Sequence, residues 1–245
     1  MIRSWPFLLV ACIFRPNIAY YIILVKNYFI SFLLHYAQSV WYTDKNDKEV
    51  GAMAYDKAWV AAKLQRWETY VDGYALPAWE SIPDFGLYMD QVIVILQQYL
   101  DFIPAPAEGK DSFVTASTIN NYVRLKLMPP PVKKKYGRVH IAYLLIILTL
   151  KLSLSISQIA QLLPMGLAEP QVRALYADYC QKFRRTQQHF TQTLQQAARE
   201  LDAAPQADAA AGNMVMEHAL SGAFHTLLAL KLLALDGAEG PENAD

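Results

Sequence analysis

The sequence has few of the residues that mark common redox and catalytic sites. It contains two cysteines in 245 residues, so a framework of several disulfides is excluded. It has no P-loop, no Gly-x-Gly-x-x-Gly, no His-Glu-x-x-His and no nucleophile elbow. His218 and His225 lie two helical turns apart, but two histidines do not make a zinc site. We therefore expect no enzyme activity, no metal and no cofactor.

Acidic residues are absent from Ser112 to Ala168, although the whole chain has 22 basic and 22 acidic residues. The basic residues of this span are Arg124, Lys126, Lys133, Lys134, Lys135, Arg138 and Lys151. A one-signed segment in a neutral chain is the electrostatic pattern of a phosphate-binding face. The alternative is a solvated basic loop beside a core.

A short helix with one polar face precedes the run of lysines. One buried stripe is predicted by the spacing of Ile119, Tyr122, Val123 and Leu127. Thr115 or Ser117 is expected to cap the helix. The polar residues that we expect to face duplex DNA are Thr118, Asn120, Asn121 and Arg124. Asn pairs bidentately with adenine and Arg with guanine in the major groove, whereas the alternative is an ordinary polar helix face.

A proline-stiffened hairpin is predicted after this helix. Pro129–Pro131 cannot continue a helix, so the chain leaves in an extended form and holds the basic residues away from the body. The residues expected to hold the DNA backbone are Lys126, Lys133, Lys134, Lys135, Tyr136 and Arg138. Tyr136 and Arg138 are expected on the return strand, and a long apolar helix is expected to follow and to end at Leu163.

These motifs resemble those of two families. Thr118-Ile119-x-x-Tyr122, Leu127-Met128-Pro129-Pro130-Pro131, Tyr136-Gly137-Arg138 and the segment Ser155–Leu163 are similar to the recognition helix, wing and following helices of MerR-type regulators. The resemblance implies a winged helix-turn-helix that binds DNA. Asp84-x-x-Leu87-Tyr88-Met89-Asp90-Gln91-Val92, Ile119–Val123, Pro129–Tyr136 and His140–Leu144 look like an uncharacterised bacterial family, domain of unknown function 1836. That family name implies no activity.

The chain departs from the MerR pattern at two places. MerR-type regulators carry Gly where Lys126 stands, because the helix ends there in a left-handed residue. Lys126 therefore predicts a different exit from the helix. The preceding helix, expected from Leu87 to Phe102, is separated from the recognition helix by the connector Pro104–Asp111, which is long and loop-like.

Residues 1–52 differ in composition from the rest and are rich in Tyr, Phe, Ile and Leu. Arg3 with Trp5–Phe14 resembles a short signal peptide, and Ile18–Tyr36 a marginal membrane span. The interpretation that we favour is a translation start at Met53, because Lys48–Gly51 can be encoded by a strong bacterial ribosome-binding sequence. Residues 1–52 would then be a spurious extension and the protein would not meet a membrane. The single cysteine that remains, Cys180, fits the cytoplasm.

Amphipathic helices are expected on both sides of the winged module. The predicted segments are 53–84 as an N-terminal helical segment, 85–168 as the winged helix-turn-helix, 169–236 as C-terminal helices and 237–245 as a disordered tail. In the first segment we expect a helix from Tyr55 to Val71 whose aromatic residues contact the core. Asp202–Gly212 is interpreted as a linker, with Gly212 or Asn213 capping a last helix, Met214–Leu235, that must be buried because it is apolar on several faces.

A heptad-like seam runs along the predicted helix that starts at Glu169-Pro170. Its members are Val172, Tyr176, Tyr179, Phe183, Thr186, Phe190, Thr193 and Ala197. We expect a homodimer through the 170–201 helix, and the alternative is a helix packed on its own domain.

The sequence thus predicts a mainly α-helical protein with a MerR-like winged helix-turn-helix, which binds double-stranded DNA as a dimer and regulates transcription. The alternative is a protein-interaction adaptor on the same scaffold. A membrane-anchored regulator is a third reading, and it requires residues 1–52 to be translated. The sequence names no small-molecule effector.

Overall fold

A computed structural model of the chain describes residues 55–104 and 113–236, without the side chains of Ala207 and Asp208. The predictions for residues 1–52, for the connector from 105 to 111 and for the tail 237–245 lie outside these ranges. The chain divides into two units, Met1–Ala52 and Met53–Asp245. The helices and contacts below belong to the second unit.

The described residues form seven α-helices and one short 3-10 helix, so the predicted mainly α-helical class is confirmed for them. The 3-10 helix is Trp79–Ser81, and the α-helices are α1 (Lys57–Gly73), α2 (Met89–Tyr99), α3 (Ala116–Arg124), α4 (Arg138–Leu150), α5 (Ile156–Leu162), α6 (Glu169–Ala203) and α7 (Ala207–Leu233). Within the described ranges, the isolated bridges are Leu87 with Tyr136 and Val132 with Lys135.

Helix α4 lies at the centre of the core because its side chains are apolar on every side. All ten residues from His140 to Thr149 are buried, and the helix packs against α2 and α6. Each buried Leu or Ile side chain contributes about 1.5–3 kcal/mol to folding. The prediction of one helix through Leu163 is wrong, since a turn at Lys151–Ser155 separates α4 from α5. Ser155 begins α5 by accepting a hydrogen bond from the Gln158 N–H.

Helices α1 and α6 lie side by side in opposite directions. The Lys57 ammonium near the start of α1 donates to the Asp202 carbonyl at 2.7 Å, near the end of α6. At the other end of α1, the Gln187 amide from the middle of α6 donates to the Tyr74 carbonyl at 2.7 Å. The start of α6 at Glu169 and the predicted extent of α1 are confirmed within two residues.

Two of the α1 aromatics expected in the core are not there. Trp59 and Trp67 are 50% and 48% exposed. Tyr70 and Tyr74 point inward, where the Tyr70 hydroxyl donates to Asp101 and the Tyr74 hydroxyl to the Tyr99 carbonyl.

The seam on α6 is packed at both ends against the same chain. Val172 and Tyr176 are each 1% exposed, and the Tyr176 ring lies 6.2 Å from that of Trp79. Ala197 joins a small core with Met214 of α7. Thr186, in the middle, is exposed. Dimerisation through the 170–201 helix stays a prediction. The two buried ends of the seam are not available to a partner in this arrangement.

The end of α6 and the last helix, α7, differ most from the prediction. The predicted linker is mainly helical, since α6 continues to Ala203 and α7 begins at Ala207, not at Met214. Alanine has the highest helix propensity, and the break is confined to the residues around Pro205. The prediction that the last helix is buried is also wrong, because most of its large apolar side chains are exposed. In the ranges that the structure describes, none of the helices has both the length and the apolar character of a membrane span.

Removing one hydroxyl from the core is expected to stabilise the protein. The Tyr122 hydroxyl is buried without a hydrogen-bond partner among the described residues, and its burial raises the pKa of Tyr122 to about 12. An unsatisfied buried hydroxyl costs about 1–3 kcal/mol. We expect Tyr122→Phe to raise the free energy of unfolding by about 1 kcal/mol in urea titrations, whereas Tyr176→Phe lowers it because the Tyr176 hydroxyl donates to the Pro77 carbonyl. A loss of stability in Tyr122→Phe would contradict this account.

Candidate nucleic-acid interface

Helix α3 presents its polar residues on one exposed face. Thr115 caps the helix by accepting a hydrogen bond from the Thr118 N–H at 3.1 Å, so one of the two predicted caps is confirmed. Ser117, Asn120, Asn121 and Arg124 line a shallow surface depression. The Arg124 guanidinium donates to the Asn121 side-chain oxygen at 2.6 Å. The predicted buried stripe is confirmed, with Ile119, Tyr122 and Leu127 buried and Val123 half-buried.

The structure brings together three of the four residues predicted to face DNA. Asn120, Asn121 and Arg124 share the depression on α3. The Thr118 hydroxyl instead lies 2.9 Å from that of Thr115, within the helix cap. The Thr118 side chain therefore orders the first turn of the helix.

The C-terminus of α3 ends in a Schellman motif with lysine at its left-handed position. The Leu127 N–H donates to the Tyr122 carbonyl and the Lys126 N–H to the Val123 carbonyl, both at 3.0 Å. Lys126 has φ = 57°, the conformation that usually selects glycine at this place. The predicted change of exit geometry is therefore wrong, because Lys126 itself adopts the backbone that Gly would adopt.

The predicted proline-stiffened hairpin contains a two-residue turn. The backbones of Val132 and Lys135 exchange two hydrogen bonds of 3.0 Å. Between them, Lys133 has φ = 51° and Lys134 has φ = 63°. Positive φ at both central residues is the requirement of a type I′ turn, for which Asn-Gly is the favoured sequence. Here two exposed lysines occupy both positions.

Lysine occupies every non-glycine position with positive φ in the described part of the chain: Lys126, Lys133 and Lys134. A left-handed conformation costs a residue with a Cβ atom about 1–2 kcal/mol. Within the same ranges, ion pairs join Arg138, Arg173 and Lys182 to carboxylates, whereas these three lysines are exposed and unpaired. Among the described residues, the cost of the backbone conformation is thus not offset by ion pairs of their charges.

The base of the hairpin is fixed to the segment before α2. Leu87 and Tyr136 exchange two backbone hydrogen bonds, of 2.8 and 2.9 Å. The Tyr136 side chain is only 3% exposed, its burial raises the pKa of Tyr136, and its ring packs edge-on against that of His140. Tyr136 therefore supports the hairpin from within the core, and its side chain is buried, unlike those of the turn lysines.

Lys135 differs from Lys133 and Lys134 because its side chain packs against the body of the protein. A Cβ atom at Gly86 would come within 2.7 Å of Lys135 Cβ, so only glycine allows this approach. The Lys135 ammonium lies 5.3 Å from the centre of the Tyr88 ring, a cation–π distance. The charge of Lys135 stays exposed beside the turn.

Arg138 is the first residue of α4 and not part of a return strand. Its Nε donates to the Ile82 carbonyl at 2.8 Å, and its guanidinium lies 3.9 Å from the Asp84 carboxylate and 5.8 Å from the centre of the Trp79 ring. These contacts hold the segment 79–84 on the body of the protein. Arg138 is therefore engaged with the body of the protein and half-buried, whereas the lysines that were predicted with it are exposed.

His140 is a positioning residue that reasoning from composition and charge did not single out. Its Nδ1 accepts a hydrogen bond from the Gly137 N–H at 3.0 Å, so the tautomer is assigned with the proton on Nε2. That Nε2 lies 3.1 Å from the Pro130 carbonyl oxygen, to which it donates. One buried ring thus fixes both ends of the hairpin. The only signal in the sequence was its place in the family motif His140–Leu144.

Relief of the strained helix end is expected to stabilise the protein. Lys126→Gly keeps the Schellman hydrogen bonds and removes the Cβ atom from the left-handed position, so we expect the free energy of unfolding to rise by about 1 kcal/mol. Chemical denaturation measures it. Lys151→Gly is the matched control, because Lys151 has a right-handed conformation and should lose stability. Equal effects of the two changes on the free energy of unfolding would contradict the claim that the left-handed conformation of Lys126 is strained.

Loss of the His140 ring nitrogens is expected to loosen the hairpin. His140→Phe keeps a ring beside Tyr136 but leaves the Gly137 N–H and the Pro130 carbonyl unsatisfied, at a cost of about 2 kcal/mol. We expect faster hydrogen exchange of the Lys135 and Tyr136 amides than in the wild type. His189→Phe, on the exposed side of α6, serves as control. Unchanged exchange at both amides would show that His140 does not hold the hairpin.

Comparisons with known proteins give one match. No curated protein and no solved structure matches the chain. The model of the family described as "Domain of unknown function (DUF1836)" matches residues 77–194. The matched part begins just before the 3-10 helix, contains α2 to α5 with the hairpin, and ends within α6. Residues 77–194 thus carry the predicted resemblance to this family of unknown function.

Proposed function

We propose that the protein is a DNA-binding transcriptional regulator. In this proposal residues 85–168 act as a MerR-like winged helix-turn-helix, with α3 as the recognition helix and the Val132–Lys135 hairpin as the wing. The partner is double-stranded DNA, bound by a dimer of the chain.

The observation that carries the proposal is the presence of lysine at both strained positions of the hairpin turn. Selection for stability alone would favour Asn-Gly there, and each lysine costs about 1–2 kcal/mol. Local strain of this kind is characteristic of functional sites. The two ammonium groups stand at the tip of a turn whose base is fixed by Leu87, Tyr136 and His140. Cationic groups held in this way suit the phosphates of a nucleic acid.

The proposed roles follow from the exposed positions. Asn120, Asn121 and Arg124 face the major groove, where amide and guanidinium groups read base edges. Lys126, Lys133 and Lys134 contact phosphates and set the register, with Lys135 beside them. Thr118, Tyr136 and Arg138 act indirectly, because their side chains cap α3, fill the core and hold the segment 79–84.

Removal of one wing charge is expected to weaken binding to every DNA sequence. Lys134→Ala removes one phosphate contact, so the slope of log K against log salt should become shallower by about one unit. Titration of fluorescent duplexes at four salt concentrations measures it, with Arg185→Ala on the exposed side of α6 as the control. A changed sequence preference at an unchanged salt slope would contradict the phosphate role.

Replacement of the two turn lysines distinguishes the effect of backbone strain on stability from the effect of charge on DNA binding. The double change Lys133→Asn with Lys134→Gly installs the favoured type I′ sequence. We expect a rise of about 1–2 kcal/mol in the free energy of unfolding, together with a salt slope lower by about two units. If the variant is more stable and binds DNA as well as the wild type, the lysines do not serve DNA binding.

The second candidate function is a protein-interaction adaptor, which is favoured by the exposed apolar residues of α7. Charge reversal distinguishes the two functions. The triple change Lys133→Glu, Lys134→Glu and Lys135→Glu should abolish DNA binding if the protein is a regulator. The same changes should leave an adaptor's function in the cell intact.

A further inference from the structure

The most exposed large apolar residues of α7 form one ridge. Met216, Leu220, Phe224, Leu228 and Leu232 follow each other at intervals of four residues, and their exposed fractions lie between 57% and 68%. At about 100° per residue, each member is turned by about 40° from the one before. Since Phe224 is both the middle member and the most exposed one, the ridge is centred on it.

Other positions on α7 are already used by the chain. Ala211 and Met214 are buried, and Met214 packs with Ala197 and Leu201 of α6. Leu230 packs against the main core. The ridge therefore faces solvent on a helix that other side chains hold against the rest of the chain. A contiguous exposed apolar surface of this kind marks an interaction site.

The order of residues along the ridge is symmetric about Phe224. In an antiparallel pair of α7 helices with the two-fold axis at Phe224, Met216 lies opposite Leu232, and Leu220 lies opposite Leu228. Leu220 and Leu228 lie about 40° from the direction of Phe224 and thus meet across the contact, whereas Met216 and Leu232 lie about 80° from it, at the margins. A two-fold interface requires such self-complementarity, because the same surface serves both subunits.

The charges obey the same symmetry. Between residues 209 and 233 the charged residues are Glu217 and Lys231, seven residues before and seven after Phe224. Seven residues correspond to almost two turns, so both side chains lie within about 20° of the direction of Phe224. In the antiparallel pair, Glu217 of each chain faces Lys231 of the other. A parallel pair would instead place each charge against its own kind.

We propose that a second copy of this chain covers the ridge, through an antiparallel α7–α7 contact with its two-fold axis at Phe224. The inference concerns the association of the chain and holds whether or not the basic surface binds DNA. It also explains why a helix with this composition is left uncovered in one chain, since its burial is completed by the partner.

Charge exchange between Glu217 and Lys231 tests the proposal. The full chain is measured by sedimentation over a wide concentration range. Glu217→Lys alone and Lys231→Glu alone place like charges together at both ends of the contact, so each should raise the dimer dissociation constant at least about tenfold. The double exchange restores both pairs and should return the constant to within about threefold of the wild type. An equimolar mixture of the two single variants should form mixed dimers, detected by native mass spectrometry.

A second variant tests the apolar centre. Phe224→Glu places two carboxylates at the two-fold axis and should give a monomer, whereas His225→Glu, one residue away and off the ridge, should leave the dimer intact. Because both residues are exposed, neither change disturbs the fold, which circular dichroism verifies. A wild-type chain that stays monomeric at all concentrations overturns the proposal. The proposal is also overturned if the single exchanges and the double exchange change the dimer dissociation constant equally. A monomer that binds phosphatidylcholine–phosphatidylglycerol vesicles through the ridge would assign the surface to lipid instead.

Discussion

The two backbone hydrogen bonds between Leu87 and Tyr136 are the contact on which the candidate interface depends. They join two segments that are 49 positions apart in the chain and bring the hairpin to the start of α2. The His140 ring then connects Gly137 and Pro130, and the Lys135 side chain lies against Gly86. The turn that carries Lys133 and Lys134 is therefore held from below by backbone, ring and side-chain contacts, while its tip remains exposed. Because the backbone of the turn is fixed in this way, it loses little conformational entropy when its lysines meet phosphate.

Local preference and overall structure disagree at three residues, and the disagreement is informative. A sequence that is consistent at all levels would carry Gly or Asn at Lys126, Lys133 and Lys134. The cap, turn and core signals around these lysines agree with the fold: Thr115 caps α3, three prolines enforce the extended exit, and Ile119 and Leu127 fill the core. In the part of the chain that the structure describes, positive φ at non-glycine residues is confined to these lysines, all within the span without acidic residues, which points to their charge and not to an accident of packing.

The sequence predicted local features well and long-range features poorly. Periodicity located α1, α3 and the start of α6, because apolar spacing and the residues at helix ends determine them locally. It failed where tertiary contacts decide, as for Trp59 and Trp67, which face solvent. At the candidate site, the α3 face and the hairpin were predictable from Asn120, Asn121 and the prolines. The burial of Tyr136 and the engagement of Arg138 with Ile82 depend on residues distant in sequence, and neither periodicity nor charge could reveal them or the role of His140.

The central claim is that the surface formed by α3 and the hairpin reads duplex DNA, and the most direct test is selection of genomic fragments by the purified full chain. Fragments from the organism of origin are bound at two salt concentrations, and the retained ones are sequenced. The account predicts enrichment of an inverted repeat, since a dimer reads two symmetric half-sites, with retention that falls steeply as salt rises. Retention of no fragment above background, at either salt concentration, would contradict it.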